Sequence, residues 1–149
     1  MNRVCIVCEG ATEVEFVKGC LAPHLMDHGV SACPFILRAP SGGHRGGRVS
    51  VEGLLFSDVE QFQYVLDGWD AGVRQRLIAI RAQFPTPEDI NNSRETAPSR
   101  RILAALPDGG YNKTEHGPVI AEAIGLATIR RHCPQFDAWV ARLEAWGNG

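Results

Sequence analysis

Val4-Cys5-Ile6-Val7-Cys8-Glu9-Gly10-Ala11-Thr12-Glu13 is the stretch that sets the fold. Val4 to Cys8 is a short apolar run closed by Glu9-Gly10, and it reads as a buried strand. Thr12-x-x-Glu15 has the spacing of a capping box and predicts a helix start. Phe16, Val17, Cys20, Leu21 and Leu25 continue that helix, and Gly29 is its stop. Pro23 lies inside the stretch and predicts a kink or a restart. Cys33 to Leu37 reads as a second strand, so the opening is β–α–β. Such a unit favours a parallel pair with a right-handed crossover.

Outward from this unit, Ala39-Pro40-Ser41-Gly42-Gly43-His44-Arg45-Gly46-Gly47-Arg48 is a glycine-rich loop. Its backbone N–H groups, with Arg45 and Arg48, could cradle a phosphate, although it matches neither Walker A nor G-x-G-x-x-G. Beyond it the pattern is helical. Ser57-x-x-Glu60 predicts another capping box, and Phe62, Val65, Leu66, Trp69, Val73, Leu77 and Ile80 read as one stripe. The stripe covers about six helical turns. Thr86-Pro87-Glu88-Asp89 is a cap with proline at the first helical position. Further helices are predicted from Ala97-Pro98 to Leu106, from Pro118 to Arg131, and from Cys133-Pro134 onward. The expected fold is α/β, in one domain over residues 1–149. A small β-α-β portion with its loop fills 1–48 and a mainly helical portion 49–149. Two or three strands make an undersized sheet, with an exposed edge on which a second chain could add.

The 149 residues are 44% hydrophobic with a formal net charge of −2, so nucleic-acid binding would need a local basic patch. No apolar run has the length of a membrane span, and the N-terminus lacks a secretory pattern. The expected address is the cytoplasm, with the five cysteines as free thiols. Cys5 and Cys8 have C-x-x-C spacing, but their separation in a strand points them to opposite faces, and both read as buried. Cys20, Cys33 and Cys133 also read as core. His24 and His28 lie four apart on one helix, a possible ligand pair, but the Glu of H-E-x-x-H is lacking and no third ligand is evident, so they read as surface or half-buried residues.

Glu9 lies just past a strand end, where open α/β sheets hold their sites, and Gly10 permits a tight turn and close approach of a ligand. Glu13 sits in the first helical turn. Two such carboxylates suit Mg²⁺, which binds through one or two of them plus substrate phosphates. Glu13 and Glu15 also complement the helix dipole. A second cluster runs from Asn91 through Arg94, Arg100 and Arg101, followed by Tyr111-Asn112-Lys113. Basic groups among amides and hydroxyls at a helix start suit phosphate contact, and equally suit a solvated helix entry.

Several stretches together resemble the prokaryotic family catalogued as domain of unknown function 4276 (DUF4276), a Toprim-like, RloG-like family. They are Glu9 to Val17 with Leu21-Ala22-Pro23-His24-Leu25, Leu54 to Asp58, Phe84 to Asn91, Glu95 to Ile102, and Ile129 to Trp139. The resemblance implies a Toprim-like core with its first-strand glutamate carried by Glu9. It implies Mg²⁺-dependent phosphoryl transfer on nucleic acid, of nuclease type, and companion ATPases in phage defence. The chain departs from the family in its middle. Relatives carry an aspartate-containing strand end there, then a segment like H-E-F-E-A-L-L-F-S-D. Here Arg48 to Asp58 follows the glycine loop directly, Glu52 keeps the second glutamate, and no D-x-D occurs. The expected catalytic set is Glu9, Glu13 and Glu52, helped by Asp58, with Glu9 and Glu13 on the metal. Arg94, Arg100, Arg101 and Lys113 would hold phosphates. Because Toprim chemistry needs several carboxylates, the alternative is an inactive module that binds nucleic acid or an ATPase. A helical partner protein without a nucleic-acid role is the third option.

Overall fold

A computed structural model of the chain describes residues 1–36, 50–90, 96–106 and 110–149. β1 (Asn2–Cys8) and β2 (Val30–Ile36) pair in parallel, in register from Asn2 opposite Val30 to Cys8 opposite Ile36. The crossover is helical throughout: α1 (Ala11–Phe16), a π-helical stretch (Val17–Leu21) and α2 (Ala22–Asp27). Pro23 has no N–H for the carbonyl four residues back. The ladder widens ahead of it, with the Ala22 N–H bonding to the Val17 carbonyl. The helix therefore continues through the proline by changing its pitch. Gly29, at φ 75°, ends α2 and leads at once into β2, which starts three residues earlier than the apolar run suggests.

The Thr12 capping box does not form. Gly10 is the N-cap without a side-chain bond, and Thr12 is buried inside the first turn. Its methyl faces Gly117, where a Cβ would come within 3.3 Å of Thr12 Cγ2. The small residue at 117 lets α1 lie close against α6 (Lys113–Ile124).

The second half is helical, as expected for this α/β chain. After α3 (Val51–Leu54) come 3₁₀ turns at Leu55–Ser57 and Val59–Tyr64, then α4 (Ala71–Ala82). A 3₁₀ turn at Pro87–Asp89, α5 (Pro98–Ala105), α6, α7 (Leu126–His132) and α8 (Pro134–Gly147) follow. The single long helix expected from Phe62 to Ile80 is two elements. Gly68 adopts φ 79° and Asp70 accepts from the Val73 N–H at 2.7 Å, so α4 starts afresh. Phe62, Leu66, Val73 and Leu77 still reach one core, from both sides of that break. Asp58, rather than Ser57, caps the second 3₁₀ turn, accepting from Glu60 N and Gln61 Nε2.

The helix expected over 118–131 starts earlier and is also split. Asn112 accepts from Thr114 N and Glu115 N, which begins α6 before Pro118. Gly125, at φ 83°, separates α6 from α7. Among the described residues, no helix is long and apolar enough to cross a membrane.

Val4, Ile6 and Cys8 face the core, while Arg3, Cys5 and Val7 point outward. Cys8 and Cys133 are buried and Cys20 and Cys33 half-buried, all free thiols. Cys5 is exposed, against the core expectation, because among the described residues it lies on the outward-facing side of β1 with Arg3 and Val7. Burial pushes the Cys20 and Cys133 thiols up to about 11, which keeps them protonated and inert.

α8 closes the molecule. Its N-terminus is capped by a distant side chain, Glu88, and its C-terminus lies on the start of the sheet. Asn2 Nδ2 donates to the Trp146 carbonyl, and a Cβ on Gly147 would overlap the His28 carbonyl oxygen. Gly147→Ala must push α8 away from β2. The expected loss is about 1–3 kcal/mol, read as a lower urea midpoint at unchanged slope.

Candidate active site at the end of the first strand

Glu9 is the first residue beyond β1 and is exposed. Gly10 is extended (φ −159°, ψ −172°), and a Cβ there would meet only Glu13 Oε2 at an ordinary 3.4 Å. The turn itself therefore does not demand glycine. Glu13, the third residue of α1, is half-buried where the helix dipole favours a negative charge.

Glu52 joins them from a distant part of the chain. Ser50 caps α3, its Oγ accepting from Gly53 N at 3.1 Å, and α3 packs on α1, α5 and α6. That packing leaves Glu52 only 5% exposed. Burial pushes its carboxyl up, and its own backbone N–H draws it back. The charges on Glu13 and Glu9 raise it further, while Lys113 lowers it. Three of the carboxylates named from the sequence thus share one electrostatic neighbourhood with Lys113. That neighbourhood lies at the carboxyl end of a parallel strand.

Lys113 is exposed in the first turn of α6, fixed there by the Asn112 cap. Just before it, Tyr111 is buried, and its hydroxyl has no hydrogen-bond partner among the described residues. Burial and then the charge on Glu52 raise this phenol, so it stays protonated. The hydroxyl lies 3.4 Å from where a Cβ on Gly117 would stand. Beside Glu13, a cleft of about 470 Å³ opens between β1, α1 and α8. Its walls are largely apolar, including Ile6, Phe16, Leu54 and Trp139, and Glu13 and Arg142 are its charged groups.

Other predicted residues fall elsewhere. Arg94 and the glycine-rich loop with Arg45 and Arg48 lie outside the described residues. Arg100 is exposed on α5. Arg101 is engaged locally: its Nε donates to the Thr96 carbonyl at 2.9 Å, and its guanidinium lies 5.1 Å from the Phe84 ring centre. Glu15 pairs with Lys18 at 3.3 Å on the exposed side of the helix. Asp58 is occupied by its capping role. Tyr111 carried no sequence signal beyond its place next to Lys113; only its burial against α6 singles it out.

Among the described residues, three metal-type ligand groups converge to within 4.8 Å at one place, and that place is not this acidic cluster. It is His24, His28 and Glu144. Glu144 had no signal in the sequence, being 116 residues beyond His28.

Fold and site together describe a mixed α/β protein that gathers carboxylates and a lysine at a strand's carboxyl end. Residues 48–144 match the family described as domain of unknown function (DUF4276), and the chain belongs to that family. The match takes in Glu52, Arg100, Arg101 and Lys113, and leaves Glu9 and Glu13 ahead of its start. No curated protein and no solved structure matches the chain.

Proposed function

We propose that this protein is a Toprim-like, Mg²⁺-dependent enzyme that transfers phosphoryl groups on nucleic acid in nuclease fashion. We place it in the cytoplasm, with a partner ATPase, in phage defence. The observation that carries the reading is the common electrostatic neighbourhood of Glu9, Glu13, Glu52 and Lys113 at the end of β1. The donors fit the ion: Glu9 and Glu13 offer only hard oxygens, as Mg²⁺ requires. Bound by these two, Mg²⁺ would neutralise phosphate charge and orient the reacting oxygens. Lys113 would hold a phosphate as a point charge. Glu52, whose carboxyl burial raises above its ordinary value, keeps its proton to higher pH than an exposed carboxylate and can give it to a leaving oxygen.

A specific observation favours a second reading. The three carboxylates do not close to within 4.8 Å of one another, and the described sheet has two strands. A site this open suits a non-catalytic module that binds nucleic acid or an ATPase.

Plasmid and single-stranded DNA at low salt with Mg²⁺ or Mn²⁺ separate the readings. Cleavage that Glu9→Gln lowers at least about 100-fold supports the enzyme, since loss of a general base or metal ligand has that scale. Binding that weakens with salt, without cleavage, supports the module. If neither occurs, both readings fail and a helical partner protein is left. Lys113→Ala is expected to weaken DNA binding and reduce the salt slope by about one. An unchanged slope in a filter-binding titration would remove Lys113 from the interface.

A further inference from the structure

The opposite end of the sheet holds a second constellation. His24 lies on α2 and His28 at its C-cap, with ring centres 4.6 Å apart. Glu144 of α8 comes between them. Its Oε1 is 2.5 Å from His24 Nε2 and 3.9 Å from His28 Nε2. All three residues are half-buried.

The tautomer of His28 is fixed by its neighbour. Its Nδ1 is 3.0 Å from the His24 carbonyl oxygen, which can only accept, so Nδ1 carries the proton. In the neutral ring Nε2 then presents a lone pair, and that lone pair faces a carboxylate oxygen. Two acceptors turned on each other repel, and either a proton on Nε2 or a metal cation between them removes the conflict. A ligand histidine whose other nitrogen donates to a backbone carbonyl is the usual arrangement at metal centres.

Arg130 is the competing group. Its Nη1 lies 2.5 Å from Glu144 Oε1 and 3.3 Å from His24 Nε2, and its Nη2 is 3.2 Å from Glu144 Oε2. Its Nε is held by Asp137 at 2.5 Å. A cation on Oε1 would displace only the Nη1 contacts. Arg130 would keep Oε2 and Asp137, and so orient Glu144 from behind. The carboxylates of Glu144 and Asp137 outweigh the guanidinium by one charge, so net charge does not oppose a cation there.

We propose that His24, His28 and Glu144 form a binding site for a zinc-class divalent ion, with water as the remaining ligand. Two imidazoles and one carboxylate select zinc or cobalt over magnesium or calcium. The ion fastens α2 of the β-α-β unit to the last helix. The two-stranded sheet of the described residues contributes little stability alone, and because the unfolded chain holds no assembled site, the binding free energy of the ion adds to folding.

The full-length protein, freed of metal with a chelator, is titrated with Co²⁺ and then Zn²⁺. One equivalent of Co²⁺ should give the visible absorption of a four-coordinate nitrogen–oxygen site, which Zn²⁺ displaces. Zn²⁺ should raise the melting temperature of the wild type, and His28→Gln should lose that rise. His28→Gln, changing a partly exposed side chain, should lower affinity at least about tenfold with unchanged far-ultraviolet circular dichroism. His24→Gln serves as an independent second variant. Glu9→Gln should bind Co²⁺ like wild type, which separates this site from the strand-end acids. The proposal is overturned if wild type shows no Co²⁺ band, because the cluster is then an Arg130-centred ion-pair network. It is equally overturned if both histidine variants retain the band, or if thiolate charge-transfer absorption places the ion on cysteines.

Discussion

Glu88→Ala is expected to destabilise the protein by about 3 kcal/mol, the largest single-site effect outside the apolar core. Glu88 is 7% exposed and accepts from two backbone groups at the start of α8, Gln135 N at 2.8 Å and Phe136 N at 3.0 Å. These are orphan donors that no intrahelical carbonyl can satisfy, and Pro134 at the helix start adds no donor of its own. A carboxylate serves both, and its charge also meets the positive end of the helix. Hydrogen bonds to a charged acceptor are worth about 1.5–3 kcal/mol each. Water can reach the exposed Gln135 but not the buried Phe136, so part of the loss is recovered. A fall in melting temperature of about 6–12 °C follows for a chain of this size. Glu88→Gln, with one acceptor oxygen left, should lose about half as much. A Glu88→Ala loss below about 1 kcal/mol in urea unfolding would mean that solvent replaces the cap fully.

Glu52→Gln should do the reverse for stability while removing function. The folded carboxyl is raised, first by burial, so the unfolded chain ionises at lower pH than the folded one. Between those values the folded state holds more protons, and stability falls as pH rises. The slope is at most about 1.4 kcal/mol per pH unit. Below the unfolded value both states are protonated and the penalty vanishes. Glu52→Gln, measured without metal, should therefore equal wild type near pH 4 and exceed it at pH 7–8. On the enzyme reading the same change should abolish cleavage, a buried carboxyl kept at a cost in stability for function. Equal stability curves across the whole range would show that Glu52 gains no proton on folding.

The β-α-β opening was legible because strand and helix periods are local properties of the chain. Gly29, Pro98 and Pro134 marked element ends for the same reason: each restricts or frees its own backbone whatever surrounds it. The long stripe from Phe62 to Ile80 misled because apolar spacing alone does not register a break. Gly68 and the Asp70 cap supply one, and both halves still reach the same core. The capping boxes at Thr12 and Ser57 failed because a buried threonine and a competing aspartate were invisible to spacing.

The sequence by itself determined the parallel strand pair, the position of Glu9 and Glu13 at the end of β1, and the helical second half. These depend on residues within a few turns of one another. Tertiary structure alone decided that Glu52 and Lys113 meet those acids, that Glu88 caps a helix 46 residues away, and that Glu144 completes the histidine pair. Each of these joins groups brought together by the packing of α3, α6 and α8 around one core. Distances across a packed core follow from how helix faces fit, and no local pattern along the chain encodes them.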